Sequence, residues 1–193
     1  MIVDSFEIFM KNFTAACKFN NIKISINKKL FLNLFEHNFY ESLLKFTSKE
    51  KIPKVIEYLQ EASLKSQNNL KVFKGTNKML KELAKDNKLI IITSNTTKAV
   101  KEFLNIKNLN YFEEVIGADK ETSKVKKIIY IKSIFKNYQY FYVGDTKGDI
   151  IEGKKAGIRT IAVTWGWHNI DKLKEQNLDY IVNSPQELIN IFK

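Results

Sequence analysis

The chain has 193 residues, of which 44% are hydrophobic, and its 32 basic and 21 acidic residues give a formal net charge of +11. This length and apolar content suffice for one well-filled core, with or without a small insert, and they exclude a disordered polypeptide. The first residues lack a basic leader and no apolar run is long enough to cross a bilayer, so we expect a cytoplasmic protein with no membrane partner.

The positive charge raises the question of nucleic-acid binding, because basic side chains neutralise phosphates. Arg159 is the only arginine, and the lysines are spread through every segment of the chain. Arginine is the side chain that binds phosphates and guanine edges through two parallel hydrogen bonds. We therefore predict a lysine-rich surface that attracts small anionic substrates, and not a nucleic-acid interface.

From Phe6 to about Leu70 the pattern is helical. Phe6, Phe9, Phe13 and Cys17 recur at steps of three and four residues, and Pro53 marks a further helix start. The single cysteine cannot form an internal disulfide or a thiolate metal cluster. No strand signal interrupts this region, so we predict that it is a helical unit.

The pattern changes after Gly75. Leu89 to Ile92 form a continuous β-branched run typical of a strand buried on both faces of a parallel sheet. Further strands are predicted at residues 114–116, 140–143, 160–163 and 180–182, separated by helices at 76–86, 97–104, 124–135, 147–156, 170–176 and 185–192. This alternation predicts an α/β fold with a doubly wound parallel sheet.

Polar side chains follow the first of these strands. Thr93, Ser94 and Asn95 could donate hydrogen bonds to a phosphoryl oxygen, but the same residue types also cap helices. Lys124 begins a helix, where a cation is unfavourable for the helix dipole, so a nearby acid or anion would explain it. Lys127 lies one turn later and is the competing candidate.

Asp145 and Asp149 lie four residues apart after the strand at 140–143. Either could serve the helix start alone, but the carboxyl end of a parallel strand is also where such folds build sites, and carboxylates are ligands for Mg²⁺. We predict a magnesium site here. The next strand is followed by Trp165 and Trp167, which either line the mouth of a pocket or pack against the helix from residue 170; the pattern favours packing.

In this order, Thr93, Lys124 and the segment from Gly144 to Asp149 resemble the second, third and fourth signatures of the haloacid dehalogenase-like phosphohydrolases. The run Ala-Val-Thr-Trp-Gly at 162–166 is similar to the phosphoglycolate-phosphatase-like branch. The resemblance covers essentially the whole chain. It implies a Rossmann-like core formed by residues 1–5 and 75–193, with residues 6–74 as a helical cap.

The resemblance also implies a chemistry, the Mg²⁺-dependent hydrolysis of a small phosphorylated metabolite. It assigns catalytic roles to Thr93, Lys124 and Asp149, and substrate-phosphate contacts to Thr93, Ser94, Asn95 and Lys124. It assigns the metal to Asp145 and Asp149, with Asp149 alternatively holding the lysine.

One family signature is missing. The first is a central strand ending in Asp-x-Asp-Gly-Thr, whose first aspartate attacks phosphorus, and Ile2 to Ser5 match only the residues that follow it. Asp4 is no substitute, because no strand is predicted before it and Phe6 stands where the second acid is required. We therefore expect impaired turnover, from a late start or a truncation, and a chain that closes the gap by pairing the neighbouring strands. The alternative is a non-catalytic module that binds a phosphorylated ligand or a protein.

Overall fold

A computed structural model describes all residues from Met1 to Lys193. Ten α-helices run in chain order: α1 Phe6–Phe19, α2 Lys28–Asn33, α3 Phe39–Leu43, α4 Ile52–Ser66, α5 Thr76–Leu83, α6 Thr97–Ile106, α7 Lys124–Ile134, α8 Lys147–Lys155, α9 Ile170–Lys174 and α10 Pro185–Ile191. Seven strands accompany them: β1 Val3–Asp4, β2 Lys71–Val72, β3 Leu89–Ile92, β4 Phe112–Ile116, β5 Phe141–Gly144, β6 Arg159–Val163 and β7 Tyr180–Val182. None of the helices combines the length and apolar character that crossing a membrane requires.

The four helices α1 to α4 form a unit of their own around an aromatic core. Phe13, Phe31 and Phe39 are fully or almost fully buried there, and Cys17 packs beside them. Burial raises the pKa of the Cys17 thiol to about 12, so the thiol stays protonated. The helical prediction for this region is confirmed. One short strand follows beyond Leu70, within the predicted 6–74 unit: β2, which pairs antiparallel with β1.

The remaining strands are parallel, as predicted. β3 pairs with β4, and β5, β6 and β7 pair in that order. Along β6 the side chains alternate between two cores: Ile161 and Val163 join the core formed with α5, α6 and α10, whereas Ala162 packs with residues of α8 and α9. Helices therefore cover both faces, and the doubly wound α/β fold is confirmed.

The parallel strands do not form one continuous sheet. β3 and β5 face each other across a gap and share no ladder, so the expectation that these neighbours would pair is wrong. The physical reason lies in the packing of α7 against β3 and of α8 against β5. These helices also contact each other, and the side chains of Ile128 and Tyr142 fill the space between them. Closing the gap would require displacing that packed layer.

Candidate functional site

The candidate site lies where β3 and β5 end. Thr93 follows β3 directly and Asp145 follows β5 directly, so both occupy the carboxyl edge of the parallel strands. A cavity of about 620 Å³ extends from this edge into the gap between the strands. Thr93, Lys124, Asp145 and Asp149 all contribute to its wall, as do Ser94 and Asn95. The structure therefore gathers around one cavity the residues that the sequence pattern singled out.

Lys124 and Asp149 form a buried ion pair. The Lys124 Nζ lies 2.5 Å from Asp149 Oδ1, and the two side chains are 10% and 8% exposed. Burial alone would lower the pKa of Lys124, but the negative charges of Asp149 and of nearby acidic groups outweigh it and hold the pKa above its usual value. Burial opposes ionisation of Asp149 as well, and the charge of Lys124 nevertheless keeps that pKa below its usual value. Both groups are therefore charged across the physiological pH range.

Asp149 also organises the start of α8. Its Oδ2 accepts hydrogen bonds from the Thr146 hydroxyl at 2.8 Å, from the Thr146 backbone N–H at 3.1 Å and from the Asp145 backbone N–H at 3.2 Å. Its Oδ1 accepts from Lys124 and, at 3.3 Å, from the Tyr142 hydroxyl. The reciprocal bonds between Asp149 and Thr146 form a capping box. Both carboxylate oxygens are thus occupied by protein donors, and this favours the role of holding the lysine over that of a metal ligand.

Asp145 has a different environment. Its Oδ2 accepts from the Trp167 backbone N–H at 3.0 Å and lies 3.4 Å from the Met1 ammonium, whereas its Oδ1 makes no hydrogen bond within the chain. The side chain is 14% exposed and lines the cavity. Proteins commonly bind Mg²⁺ through one or two carboxylates, with substrate phosphate and water completing the shell. Asp145 fits the role of one such ligand, although no cluster of three or more acidic, histidine or cysteine side chains is available to bind a metal unaided.

The segment after β3 forms a tight polar turn. The Thr93 Oγ1 accepts from the Asn95 backbone N–H at 3.0 Å, and the Asn95 Oδ1 accepts from the Thr96 backbone N–H at 2.8 Å. The Ser94 carbonyl accepts from the Tyr40 hydroxyl at 2.7 Å. Because these bonds use Thr93 as an acceptor, its hydroxyl proton remains free to be donated toward the cavity.

Lys124 and Lys127 were both candidates for the cation of the site, and the structure distinguishes between them. The Lys127 Nζ donates to the Thr93 carbonyl at 2.7 Å, and its side chain does not line the cavity. Burial, together with the positive charge of Lys124, lowers the pKa of Lys127 to about 7. Lys124 is therefore the cation at the site, and Lys127 braces the turn beneath it.

The cavity has an aromatic wall on the side of helices α1 to α4. Trp167 lines the cavity and packs edge-on against Phe35, with ring centroids 4.8 Å apart. The Trp165 Nε1 donates to the Met1 carbonyl at 3.0 Å. Both indoles lie outside the hydrophobic cluster that contains Leu173 of α9. The prediction that they pack against that helix is therefore wrong, and Trp167 lines the cavity instead.

Sequence reasoning missed the residues that tie the helical unit to the core. Asn38 donates to the Glu152 carboxylate at 2.8 Å and to the Thr122 carbonyl at 2.9 Å, and the same carboxylate accepts from the Lys124 backbone N–H. The His168 Nδ1 accepts from a backbone N–H of α8, and its Nε2 lies 3.1 Å from the carbonyl of Leu32. Only Glu152 had a local signal, because it lies three residues after Asp149 on the same face of α8.

Comparison with known proteins gives a consistent result. The family model described as haloacid dehalogenase-like hydrolase matches residues 1–163. A phosphoglycolate phosphatase from Vibrio parahaemolyticus is 26% identical over 109 residues, which cover 53% of this chain and 48% of that protein. A putative pyrophosphatase, PpaX, from Caldanaerobacter subterraneus is 27% identical over 113 residues, covering 55% and 51%. The matched part thus spans about half the length of these curated relatives.

The structural similarity is more extensive than the sequence similarity. The crystal structure of a predicted phosphatase from Clostridium acetobutylicum matches with a TM-score of 0.81 at 24% identity, covering 99% of this chain and 93% of that one. At this identity the match establishes the fold alone. The family model, by contrast, covers most of the chain, including β3, β5 and the ion pair that joins α7 to α8. The chain therefore belongs to the haloacid dehalogenase-like hydrolases.

Proposed function

We propose that this chain forms the phosphate-binding part of a Mg²⁺-dependent phosphomonoester hydrolase that acts on a small phosphorylated metabolite. One observation carries the proposal: a buried lysine, a free carboxylate oxygen and a free hydroxyl proton line a single cavity at the carboxyl ends of β3 and β5. The relatives named phosphoglycolate phosphatase and pyrophosphatase support phosphate chemistry of this kind.

Each side chain has a distinct part in the proposed site. The Lys124 ammonium neutralises charge on a phosphoryl oxygen, and Asp149 holds it in position through the 2.5 Å ion pair. The Thr93 hydroxyl donates to a second oxygen, and the backbone N–H of Ser94 lies beside it, whereas the N–H of Asn95 donates to Thr93 Oγ1. Asp145 would contribute a ligand to Mg²⁺, which when bound offsets negative charge on the phosphate.

The size and lining of the cavity favour a small substrate. Phe9, Phe35 and Trp167 line the cavity on the side of α1 to α4, and the hydrogen bond from Asn38 to Glu152 and the contact of His168 Nε2 with the Leu32 carbonyl join these helices to the core. The cavity volume of about 620 Å³ suits a small metabolite.

No side chain in the site is placed to attack phosphorus. Asp149 is fully hydrogen-bonded, Asp145 is the proposed metal ligand, and Asp4 is exposed on β1 and does not line the cavity. We therefore propose that this chain, as it stands, binds a phosphoryl group with little or no turnover. Hydrolysis would require a carboxylate delivered to the cavity by a further strand.

The test adds about a dozen residues ahead of Met1, forming an apolar strand that ends in Asp-x-Asp-Gly-Thr. Phosphate release is then measured on a broad panel of phosphate esters, with and without Mg²⁺. We expect Mg²⁺-dependent release from the extended protein. The matched control replaces the first added Asp by Asn and should be inactive. Inactivity of both extended proteins on the whole panel would contradict the proposal.

A second candidate is a non-catalytic module that binds phosphorylated ligands, which the buried Lys124–Asp149 pair beside the cavity would equally serve. In that case the chain without extension binds inorganic phosphate saturably in the presence of Mg²⁺, and Lys124→Met abolishes the binding. Saturable binding combined with an inactive extended protein would favour the module over the hydrolase.

A further inference from the structure

Two acidic side chains of α8 hold Lys124 at both of its ends. Asp149 pairs with the Lys124 Nζ, and Glu152, one turn later on the helix, accepts a hydrogen bond from the Lys124 backbone N–H at 3.1 Å. The Glu152 side chain is buried, so this bond lies in the protein interior. Hydrogen bonds to ionised groups are among the strongest in proteins. A displacement of the Glu152 carboxylate therefore also displaces the backbone that carries the Lys124 side chain.

The bond from Lys124 to Glu152 lies at the first residue of α7, where a backbone N–H has no partner within its own helix. Ser123 caps this helix by accepting from the Lys126 backbone N–H, which leaves the Lys124 N–H for an acceptor outside the helix. The helix dipole favours a carboxylate at this end and disfavours an ammonium. Glu152 thus offsets the unfavourable position of Lys124 at a helix start.

The helical unit α1 to α4 holds the same carboxylate oxygen. Glu152 Oε1 also accepts from the Asn38 Nδ2 at 2.8 Å, and this nitrogen donates a second hydrogen bond to the Thr122 carbonyl at 2.9 Å. The Asn38 Oδ1 accepts from the backbone N–H groups of Tyr40 and Glu41 at the start of α3. Both polar atoms of this buried amide are therefore bonded. The amide fixes the start of α3 at one end and the Glu152 carboxylate at the other.

The charges around Glu152 make its bond to Asn38 important for the site. Burial raises the pKa of Glu152, whereas the positive charge of Lys124 and the hydrogen bond from Asn38 oppose this change. Lys127 and Asp149 also act on this carboxylate electrostatically. A buried carboxylate that loses a donor either attracts a nearby cation more strongly or takes up a proton. Either change disturbs the pair that Lys124 forms with Asp149.

We infer that Glu152 is a positioning residue, through which the seating of α3 against the core sets the place of the Lys124 ammonium in the phosphate site. The connection runs from Asn38 to the Glu152 carboxylate and from there to the Lys124 backbone. The ligand is that of the proposed function, on which the inference rests, whereas the hydrogen-bonded connection is a property of the chain alone. Breaking the bond between Asn38 and Glu152 therefore weakens phosphate binding even when every group that contacts the phosphate is intact.

The test replaces the donor at position 38 by a charge. Asn38→Asp keeps an acceptor for the start of α3, because aspartate caps helices about as well as asparagine does, but it places a second carboxylate against Glu152. In the unextended chain with Mg²⁺, we expect inorganic phosphate to bind about tenfold more weakly by calorimetry. We also expect the Lys124 amide to exchange its hydrogen about tenfold faster by NMR, as the loss of one hydrogen bond to a charged group implies.

A second substitution tests whether the effect passes through Glu152. Glu152→Gln, added to Asn38→Asp, restores a donor to this pair and keeps an acceptor for the Lys124 N–H. The double variant should regain most of the lost phosphate affinity and most of the lost amide protection. Should Asn38→Asp fail to fold, Asn38→Ser takes its place, because serine also caps the helix but neither reaches Glu152 nor adds a charge.

Glu36→Gln is the matched control. It removes ion pairs at 3.0 Å to Lys172 and at 3.7 Å to Lys147, which join the same helical unit to α9 and α8 without a bond to Lys124. Because these side chains are partly exposed, we expect phosphate affinity and Lys124 amide exchange to change by no more than about twofold.

Two results would overturn the inference: an effect of Asn38→Asp no larger than that of the control, or no recovery in the double variant. Each would mean that loosened packing of the helical unit, and not the hydrogen-bonded connection, acts on the site. Failure of the unmodified chain to bind phosphate would count against the proposed function instead. The exchange rate of the Lys124 amide in the same variants would then decide whether the connection exists.

Discussion

Replacing Lys124 by Met tests the electrostatics of the site directly. The substitution keeps most of the side-chain volume but removes the cation that lies 2.5 Å from Asp149 Oδ1. Removing one partner of a buried ion pair typically costs about 3–5 kcal/mol, because the other charge is left without compensation. Asp149 keeps its three donors from Thr146 and Asp145, so we expect the lower end, about 3 kcal/mol at pH 7.

The loss should depend on pH with a defined sign. In the unmodified chain the pKa of Asp149 lies below its ordinary value of 3.8, so its stabilising contribution is present above pH 3.8 and is lost as the pH falls through the folded-state value. Without Lys124, burial dominates and raises the pKa of Asp149. The variant then regains stability as acid protonates this group, and the difference between the two proteins narrows toward pH 4.

Urea unfolding at several pH values between 4 and 7 measures both effects. The matched control is Lys126→Met on the same helix, because Lys126 is 72% exposed and lies 3.5 Å from Glu121. Exposed pairs contribute little, and we expect a loss below about 0.5 kcal/mol. If Lys124→Met costs no more than this control, or if its cost does not change with pH, the buried pair does not have the role assigned to it.

Three further predictions concern the surroundings of the site. Burial lowers the pKa of Lys127 from 10.5 to about 7. At about 1.4 kcal/mol per pH unit, keeping this lysine charged in the folded protein costs up to about 5 kcal/mol. Lys127→Met removes that cost but also one hydrogen bond, so we expect it to stabilise the protein at pH 6 by about 2 kcal/mol. The gain should shrink as the pH rises from about 7 toward 10.5, the pKa of unfolded lysine, and urea titrations across this range check it. Gly148→Ala would place a Cβ 2.4 Å from the His37 carbonyl oxygen. We expect the free energy of unfolding to fall by about 2 kcal/mol and the tryptophan emission to change. An unaltered spectrum with unaltered stability would contradict this tight contact. Burial lowers the pKa of His168, so its neutral form contributes stability above pH 6.5 that is lost as the pH falls. His168→Ala should cost about 2 kcal/mol at pH 7 and should make stability depend less steeply on pH. Thermal unfolding of both proteins at pH 7 and pH 5 measures this, and an equal pH dependence would refute the assignment.

Local signals in the sequence were sufficient to locate the elements. Leu89 to Ile92 and Tyr180 to Val182 are strands with the predicted bounds, because β-branched runs bordered by polar residues carry their own conformational preference. The Ser184 hydroxyl likewise caps α10 locally, by accepting from the Glu187 backbone N–H at 3.2 Å. The placement of Thr93 and Asp145 at strand ends followed from the same local evidence.

Contacts between distant parts of the chain could not be predicted in this way. The Asn38 bond to Glu152 joins residues 114 positions apart, and no local pattern distinguishes such a pair from two solvated side chains. The choice between Lys124 and Lys127 was equally open, because both lie on α7 and only the positions of Asp149 and the Thr93 carbonyl separate them. The packing of the Trp167 indole against the aromatic side chains of α1 and α2, and not against α9, also depends on residues far away in the sequence.

The amino-acid sequence by itself determined the order of strands and helices and the arrival of polar side chains at the strand ends, because hydrophobic periodicity and helix caps act over a few residues. Only the tertiary structure decided that β3 and β5 do not pair. It also decided that both carboxylate oxygens of Asp149 accept hydrogen bonds from the protein, whereas one oxygen of Asp145 accepts none. These outcomes depend on how helices pack across the sheet, and packing is set by the shapes of many distant side chains together.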